Sequence, residues 1–419
     1  MLGNRSAMVS IVLVGAVALS AGGCQTVPAT PSPTPVLGGS MPASPPPTAT
    51  ATPTPATILA PTPTPSPAVG AWNPAPDSPA LEQAQFVCVV WTGSRFVAGA
   101  TLMNGSAVFL DSSDGTSWHV QSASWPDAII RALAVGPGGL VAVGDKAGRM
   151  VGWTSTDGLS WSLAPDAAAM NPAAGKTFRL QGVTAVSGGW MAVGAEYPSC
   201  MVGCVPDRAV VWKSPDGVAW SRSPAAAPLA NAGMTGVVQW KGGFVAVGSA
   251  GKSAAVWTSS DAVAWARVTD SPVFHAPTGT DQTIGATISA IAAGSDRLVA
   301  VGQVLTQGDV ESALAWWSSD GVTWNAATGE DFLDGQIFGV AAVPTGYLAV
   351  GPSGPPSCLG GIWSSTDGTS WKCEASTAGF DGFAPYAAAA SPTLEIVVGF
   401  GRPGGAITGA VWTRTIAAP

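Results

Sequence analysis

A serine two residues ahead of an aspartate, with a tryptophan four residues beyond it, recurs six times, at Ser112–Trp118, Ser155–Trp161, Ser214–Trp220, Ser259–Trp265, Ser318–Trp324 and Ser365–Trp371. A hydroxyl beside a carboxylate is raw material for nucleophilic or metal chemistry, but both need further partners. The chain has only two histidines, His119 and His275, too few for a His-rich metal site. "DSSDG" at Asp111 lacks the remaining ligands of a calcium loop. "GFGRPGG" at Gly399 contains a dinucleotide-type glycine pattern with no helix to follow it. No metal and no cofactor are expected.

Repetition itself argues for a structural role, because a catalytic group is needed once and a packing device is needed at every interface. In a hairpin turn, Asp114, Asp157, Asp216, Asp261, Asp320 and Asp367 can accept hydrogen bonds from the turn's own amides, and the following glycine supplies a backbone angle that other residues resist. Only Ala262 replaces that glycine. The tryptophan beyond is large enough to wedge between sheets while its indole N–H finds a partner.

The elements that must position this phrase follow from the pattern around it. Short apolar runs bounded by glycine, such as "GLVAVG", "GWMAVG" and "GYLAVG", precede each copy and read as buried strands. Ahead of most lies another run, such as "RALAV" or "FGVAAV", joined by a tight turn. Four strands per unit of about 50 residues describe a propeller blade. The last unit stops at Pro419 without a fourth strand, whereas "GAWNPAP" at Gly70–Pro76 resembles an isolated fourth strand. The fold class expected is therefore all-β: a seven-bladed β-propeller over 69–419, its ring closed by the N-terminal strand near Trp72.

The phrase resembles the Asp-box, or BNR, repeat of the sialidase-like propeller superfamily, usually Ser-x-Asp-x-Gly-x-Thr-Trp. It departs by one residue, with glycine directly after aspartate. The resemblance covers nearly the whole chain beyond residue 68 and is specific for fold, since Asp boxes occur in enzymes and non-enzymes. A sialidase would imply an arginine trio, a Tyr–Glu pair and an aspartic acid. Only Tyr197, Tyr347 and Tyr386 exist, Tyr386 being the best placed, and no position assembles the set. Sialidases also have six blades.

The remaining segments give an address. Arg5, the apolar run Ala7–Ala21 and "AGGC" resemble a bacterial lipoprotein signal, residues 1–23, with Cys24 the lipidated residue, although Ala21 stands where such signals carry leucine. An ordinary secretory signal cut nearby is the alternative. Residues 24–68 are a Pro/Thr-rich linker that cannot bury a core. In that oxidising setting Cys200 with Cys204, and Cys358 with Cys373, are candidate disulfides, and Cys88 is a core residue.

Insertions fall between the second and third strands of a blade and between blades, hence on one face of the ring. Candidate ligand contacts there are Asp145, Glu196, Tyr197, Arg208, Glu311 and Arg402, with His275 and Asp331 as further loop residues. A net charge of −8 and a pI near 4.7 exclude a nucleic-acid partner. The expectation is a monomeric, non-catalytic, lipid-anchored module outside the cytoplasmic membrane that recognises a protein or glycan partner. A glycan-processing hydrolase is the alternative.

Overall fold

In the computed structural model the described residues are 69–199, 205–275, 283–306, 312–329, 335–351, 358, 361–374, 380, 382–402 and 405–417. They form seven antiparallel sheets of four strands, numbered β1–β28 in chain order. Six sheets are consecutive in sequence, beginning with β2 to β5, and the seventh has the order β26-β27-β28-β1. The protein is a seven-bladed β-propeller.

The innermost strand of each blade is its first: β2 (Ala84–Trp91), β6 (Ala128–Gly136), β10 (Lys176–Val186), β14 (Ala232–Trp240), β18 (Thr283–Ala293), β22 (Gly339–Val343) and β26 (Phe383–Ala390). Each packs against its counterparts in the two neighbouring blades, and β26 meets β2 to complete the circle. Their small residues permit that approach: a Cβ on Gly339 would lie 2.8 Å from the Tyr386 carbonyl oxygen of the next blade. The outermost strand is only two residues long in the second to sixth blades, which leaves little unpaired edge. In the first blade it is β5 (His119–Pro126), interrupted by a bulge.

Closure is by the N-terminal strand. β1 (Asn73–Pro74) pairs with β28 (Thr408–Thr415), with Asn73 opposite Thr413 and Pro74 opposite Trp412. Trp72, just ahead of β1, is buried between the sixth and seventh blades beside Leu348, Val350, Ile362 and Val397.

Each Ser-x-Asp-Gly phrase occupies the turn between the third and fourth strands. At Asp216, the Ser214 hydroxyl donates to Oδ1 (3.0 Å), as do the amides of Val218 and Ala219 (both 2.8 Å), while the Gly217 amide donates to Ser214 Oγ (2.8 Å). Gly217 has φ 78°, and a Cβ there would meet Val141 of the preceding blade at 2.4 Å, so both conformation and space call for glycine. The Trp220 indole donates to the Gly217 carbonyl (2.9 Å). Trp118, Trp324 and Trp371 do likewise, but the indole nitrogens of Trp161 and Trp265 have no hydrogen-bond partner. Trp161 instead stacks on Phe109 of the first blade, ring centroids 3.6 Å apart. Packing, more than the hydrogen bond, holds these indoles in place.

A second tryptophan, on the third strand, is fully buried in six blades: Trp153, Trp212, Trp257, Trp316, Trp363 and Trp412. Three of them donate to the short 3-10 turns through which the chain enters their own blade, Trp212 to the Ala169 carbonyl, Trp257 to Pro228 and Trp316 to Val273. Cys358 and Cys373 form a disulfide with Cα atoms 5.6 Å apart. Cys200, Cys204 and Cys24 lie outside the described residues.

Candidate functional site

The innermost strands share an irregularity that aims one side chain per blade differently from its neighbours. The ladder register shifts around Val87, Arg131, Gln181, Thr235, Ser289 and Tyr386. In the sixth blade the same place is held by Phe338, whose amide donates to the Val350 carbonyl just ahead of β22. A bulge leaves its extra residue out of the ladder and re-aims its side chain. Residues on the innermost strand of a ring packed on both flanks would ordinarily be buried. Six of these seven are half-buried and Gln181 is exposed; Val87 packs against the core between the first and second blades. Each is followed by a small residue, Cys88, Ala132, Gly182, Gly236, Ala290, Gly339 or Ala387, where adjacent strands converge.

The ring has two chemically distinct arcs. Val87, Phe338 and Tyr386, from the first, sixth and seventh blades, make an apolar and aromatic arc. Tyr386 stacks on Phe400 of β27 (Leu394–Gly401), centroids 4.8 Å apart, and Phe338 lies 5.5 Å from Tyr386. Arg131, Gln181, Thr235 and Ser289, from the second to fifth blades, make a polar arc. Arg131 Nε donates to Asp145 Oδ1 at 2.9 Å, so its charge is compensated. Thr235 Oγ1 donates to the carbonyl of Ile288 in the next blade at 2.7 Å.

Behind the ring, one ladder position on the second strand is equivalent in every described blade: Thr101, Asp145, Ala195, Ser249, Gln303 and Phe400. Gln303 is 6% exposed, and its Oε1 has no hydrogen-bond partner, nor has Thr101 Oγ1. A buried acceptor without a donor costs free energy unless water or a ligand supplies one.

The candidates chosen from sequence fall into four groups. Asp145 lies within strand β7 (Gly139–Lys146) and backs the ring through Arg131. Glu196, Tyr197 and Arg208 belong to the third blade, because the ladder between β11 (Gly189–Pro198) and β12 (Arg208–Ser214) continues through Glu196 and Arg208 instead of opening into a loop. Glu196 is 4% exposed, 2.8 Å from Arg208 and 3.8 Å from Arg222, whose guanidinium lies over Phe178. This carboxylate is an internal tie, not a surface contact. Tyr197 lies under the Arg179 guanidinium at 4.6 Å, and burial raises its hydroxyl pKa against the opposing pull of that charge. Arg402 is exposed just beyond β27, and His275 is exposed beside Asp270 at 3.0 Å. Glu311 and Asp331 lie outside the described residues.

The pKa of each tyrosine hydroxyl and of the Cys88 thiol is shifted upward. Burial raises Tyr386, and burial with the Asp296 charge pushes Tyr347 up to about 12. Cys88, half-buried as a residue with its thiol enclosed against Gly99, is pushed up to about 12 by desolvation. The aspartates of the six turns are shifted the other way. Backbone amides hold Asp157, Asp216 and Asp261 low, and at Asp320 burial would raise the pKa but the amides of Thr323 and Val322 outweigh it, leaving about 2. Among the described residues no group of three or more His, Cys, Asp or Glu could hold a metal ion.

The ring was not among the sequence candidates, apart from Tyr386. Its signal was present: in every repeat the innermost strand carries a side chain of varied chemistry immediately before a small residue, as in "RALAV", "TGVVQW" and "FGVAAV".

No protein family and no curated protein matches the chain. Among solved structures, the sialidase of Trypanosoma rangeli in complex with the inhibitor DANA is 13% identical, with TM-score 0.43 over 80% of this chain and 55% of that one. The endosialidase of phage phi92 is 10% identical, with TM-score 0.44 over 84% and 69%. The alpha-L-arabinanase of Penicillium chrysogenum complexed with arabinobiose is 13% identical, with TM-score 0.41 over 67% and 92%. The chain thus aligns with about half the length of the Trypanosoma sialidase. At these scores the propeller assignment rests on the seven closed sheets themselves, and no residue role is taken from the likeness.

Proposed function

We propose that the protein is a lipid-anchored binding module outside the cytoplasmic membrane, with Asp-box turns as its scaffold and the long-loop face of the propeller as its recognition surface. The observation that carries this reading is the pairing of the described candidate carboxylates. Asp145 and Glu196 are each paired with an arginine, at 2.9 and 2.8 Å. Arg402, His275 and the side-chain amide of Gln181 are exposed and available to a ligand.

Chain direction supports the arrangement. The fourth strand of a blade runs from the Ser–Asp turn face toward the long-loop face, so the chain enters the ring on the turn face, where Val69 pairs with Ile416. The long loops open on the other face.

A glycan array probed with the full chain, beside a fluorogenic glycosidase panel on the same sample, tests the reading. Saturable glycan binding without turnover is the expected result. Turnover would replace it with a hydrolase, and silence in both would direct the search to a protein partner.

A further inference from the structure

We propose that the groove between the second and third blades, on the Ser–Asp turn face, is a docking site for a lysine side chain of a partner protein. Its ammonium group would be held by the carbonyls of Pro215 and Asp216 and by the Asp216 carboxylate. This surface lies opposite the long loops and does not depend on what they recognise.

The repeat itself shows what such a groove takes. On the turn face each blade borders the Ser–Asp turn of the next, and four blades lay a cation along that seam. In the first blade it is Arg95, whose Cδ would lie 3.8 Å from a Cβ on Gly158 of the second. In the third it is Lys213, whose Nζ donates to the Asp261 carbonyl of the fourth at 3.1 Å. In the fourth it is Lys241, whose Nζ donates to the Ser319 carbonyl of the fifth at 2.7 Å and stands 5.3 Å from the ring centroid of Trp240. In the fifth it is Arg297, with its guanidinium over Trp317 and its carbonyl accepting from Tyr347 of the sixth.

The second blade departs from this rule. Thr154 takes the place of Lys213, since it pairs with Val141 as Lys213 pairs with Met191. Pro137 takes the place of Lys241, since Gly136 pairs with Gly139 ahead of it as Trp240 pairs with Gly243. Neither residue carries a charge, and a groove of about 660 Å³ opens there, lined by both and by Val186, Trp190, Pro215 and Asp216. The carbonyls of Pro215 and Asp216 are the counterparts of the two that accept from Lys241 and Lys213 in the following seams.

Charge and shape fit a lysine from outside the chain. Asp216 is the one ionisable side chain among the described lining residues. The amides of Ala219 and Val218 hold its pKa low, so it stays charged. An ammonium group shared between a carboxylate and carbonyls makes charge-assisted hydrogen bonds, and Trp190 and Val186 offer apolar surface to the methylene stem. Exposed aliphatic residues stand within two positions of the lining, at Val135, Leu159 and Val218. A free amine would leave them in water, whereas a protein surface carrying the lysine covers them. The net charge of −8 favours a basic partner.

Amide NMR of the isotope-labelled full chain, titrated with the capped tripeptide acetyl-Gly-Lys-Gly-amide, tests the proposal. The Val218 and Ala219 amides should shift saturably, and a tripeptide with norleucine in place of lysine should bind about tenfold more weakly or worse. Thr154→Lys, which supplies the ammonium group from within the chain, should weaken binding by a similar factor. Lys213→Thr should do the reverse and open a second site, read as new saturable shifts at Val263 and Ala264 of the fourth blade. Each variant installs a residue that another blade already carries at that ladder position, lysine in the third and Thr258 in the fourth, so the fold tolerates both.

An absence of saturable shifts at Val218 and Ala219, or equal binding of the norleucine peptide, would overturn the ammonium site. Binding that survives Thr154→Lys unchanged would overturn the groove as its place, and failure of Lys213→Thr to create a second site would overturn the reading of the repeat. None of these outcomes touches the long-loop face, which the glycan array tests separately.

Discussion

The first six blades close each outer hairpin through a turn of consecutive residues, whereas the seventh pairs β28 with β1 from opposite ends of the chain. The Ser-x-Asp-Gly device belongs to a turn, and in the seventh blade there is no turn for it to occupy. Arg414 stands where the other blades have the serine, paired with Glu395 as Ser155 is paired with Leu140. Glu395 thus replaces the large apolar residue of the second strand. Arg414 is 2% exposed and Glu395 wholly buried; Arg414 Nε donates to Glu395, Glu374 of the sixth blade lies 3.3 Å away, and Thr345 donates to Glu395. The guanidinium also lies 4.6 Å over the ring of Trp72, which takes the place of the turn tryptophan.

The difference teaches what each joint needs. A covalent turn needs only local satisfaction of its amides, and an exposed aspartate does that. A joint between chain ends needs a feature that accepts one partner in one register. A buried ion pair adds little net stability over an apolar pair but is costly when half-made. Here it is shared among residues of the sixth blade, the seventh blade and the N-terminal strand.

Breaking the closure should have the largest effect. Arg414→Met leaves Glu395 buried without its cation and should cost about 3–5 kcal/mol in denaturant unfolding. Asp216→Ala in a covalent turn should cost about 1–2 kcal/mol, for two amide hydrogen bonds. Restoring the repeat residues together, Glu395→Leu with Arg414→Ser, should recover most of the first loss. A double variant as unstable as Arg414→Met would show that the ion pair itself, not relief of a buried charge, holds the joint.

A smaller test sharpens the comparison within the six turns. Ala262 adopts φ 60° where the others have glycine, and the residue at the position of Val141 in the preceding blade is Met191, in the same core cluster. An unbranched side chain there leaves room for the extra methyl group. Met191→Val should cost about 1–3 kcal/mol in the parent and clearly less in an Ala262→Gly background, read from denaturant midpoints. Equal cost in both backgrounds would separate the two positions.

Acid should act on the turns. Their aspartates titrate lower folded than unfolded, so the stability they contribute is complete above the unfolded value of about 3.9 and is lost as pH falls through the folded values. For Asp320 that value is about 2. Asp320→Asn should therefore be less stable than the parent at pH 5 and approach it near pH 2. A stability gap that does not narrow would place the contribution of this aspartate elsewhere than in its charge.

Much of this architecture was legible because it repeats. Six copies of one phrase define the third-to-fourth-strand turn by local chemistry alone, and the isolated Trp72 segment had only one incomplete blade to join. The candidate site was less legible. Glu196 and Tyr197 read as loop residues because "AEYPSCMVGC" lacks strand periodicity, yet cross-strand pairing with Arg208 carries β11 past them. Arg131 and Phe338 read as ordinary strand residues, since a bulge is a relation between two strands and leaves no mark on one of them.

What the sequence determined by itself is whatever depends on near neighbours in the chain: the strands, the turns with their aspartate caps, the number of blades and the missing strand at the end. Tertiary structure decided what depends on meeting. Only when seven strands converge on one axis do Val87, Phe338 and Tyr386 become one arc, and only when the chain ends meet does Arg414, an odd charge in an apolar strand, acquire Glu395, Glu374 and the face of Trp72. Hydrogen bonds within a turn are selected residue by residue, whereas an arc of inner-strand residues and a closing joint are made by residues far apart in the chain, whose proximity exists only in the folded ring.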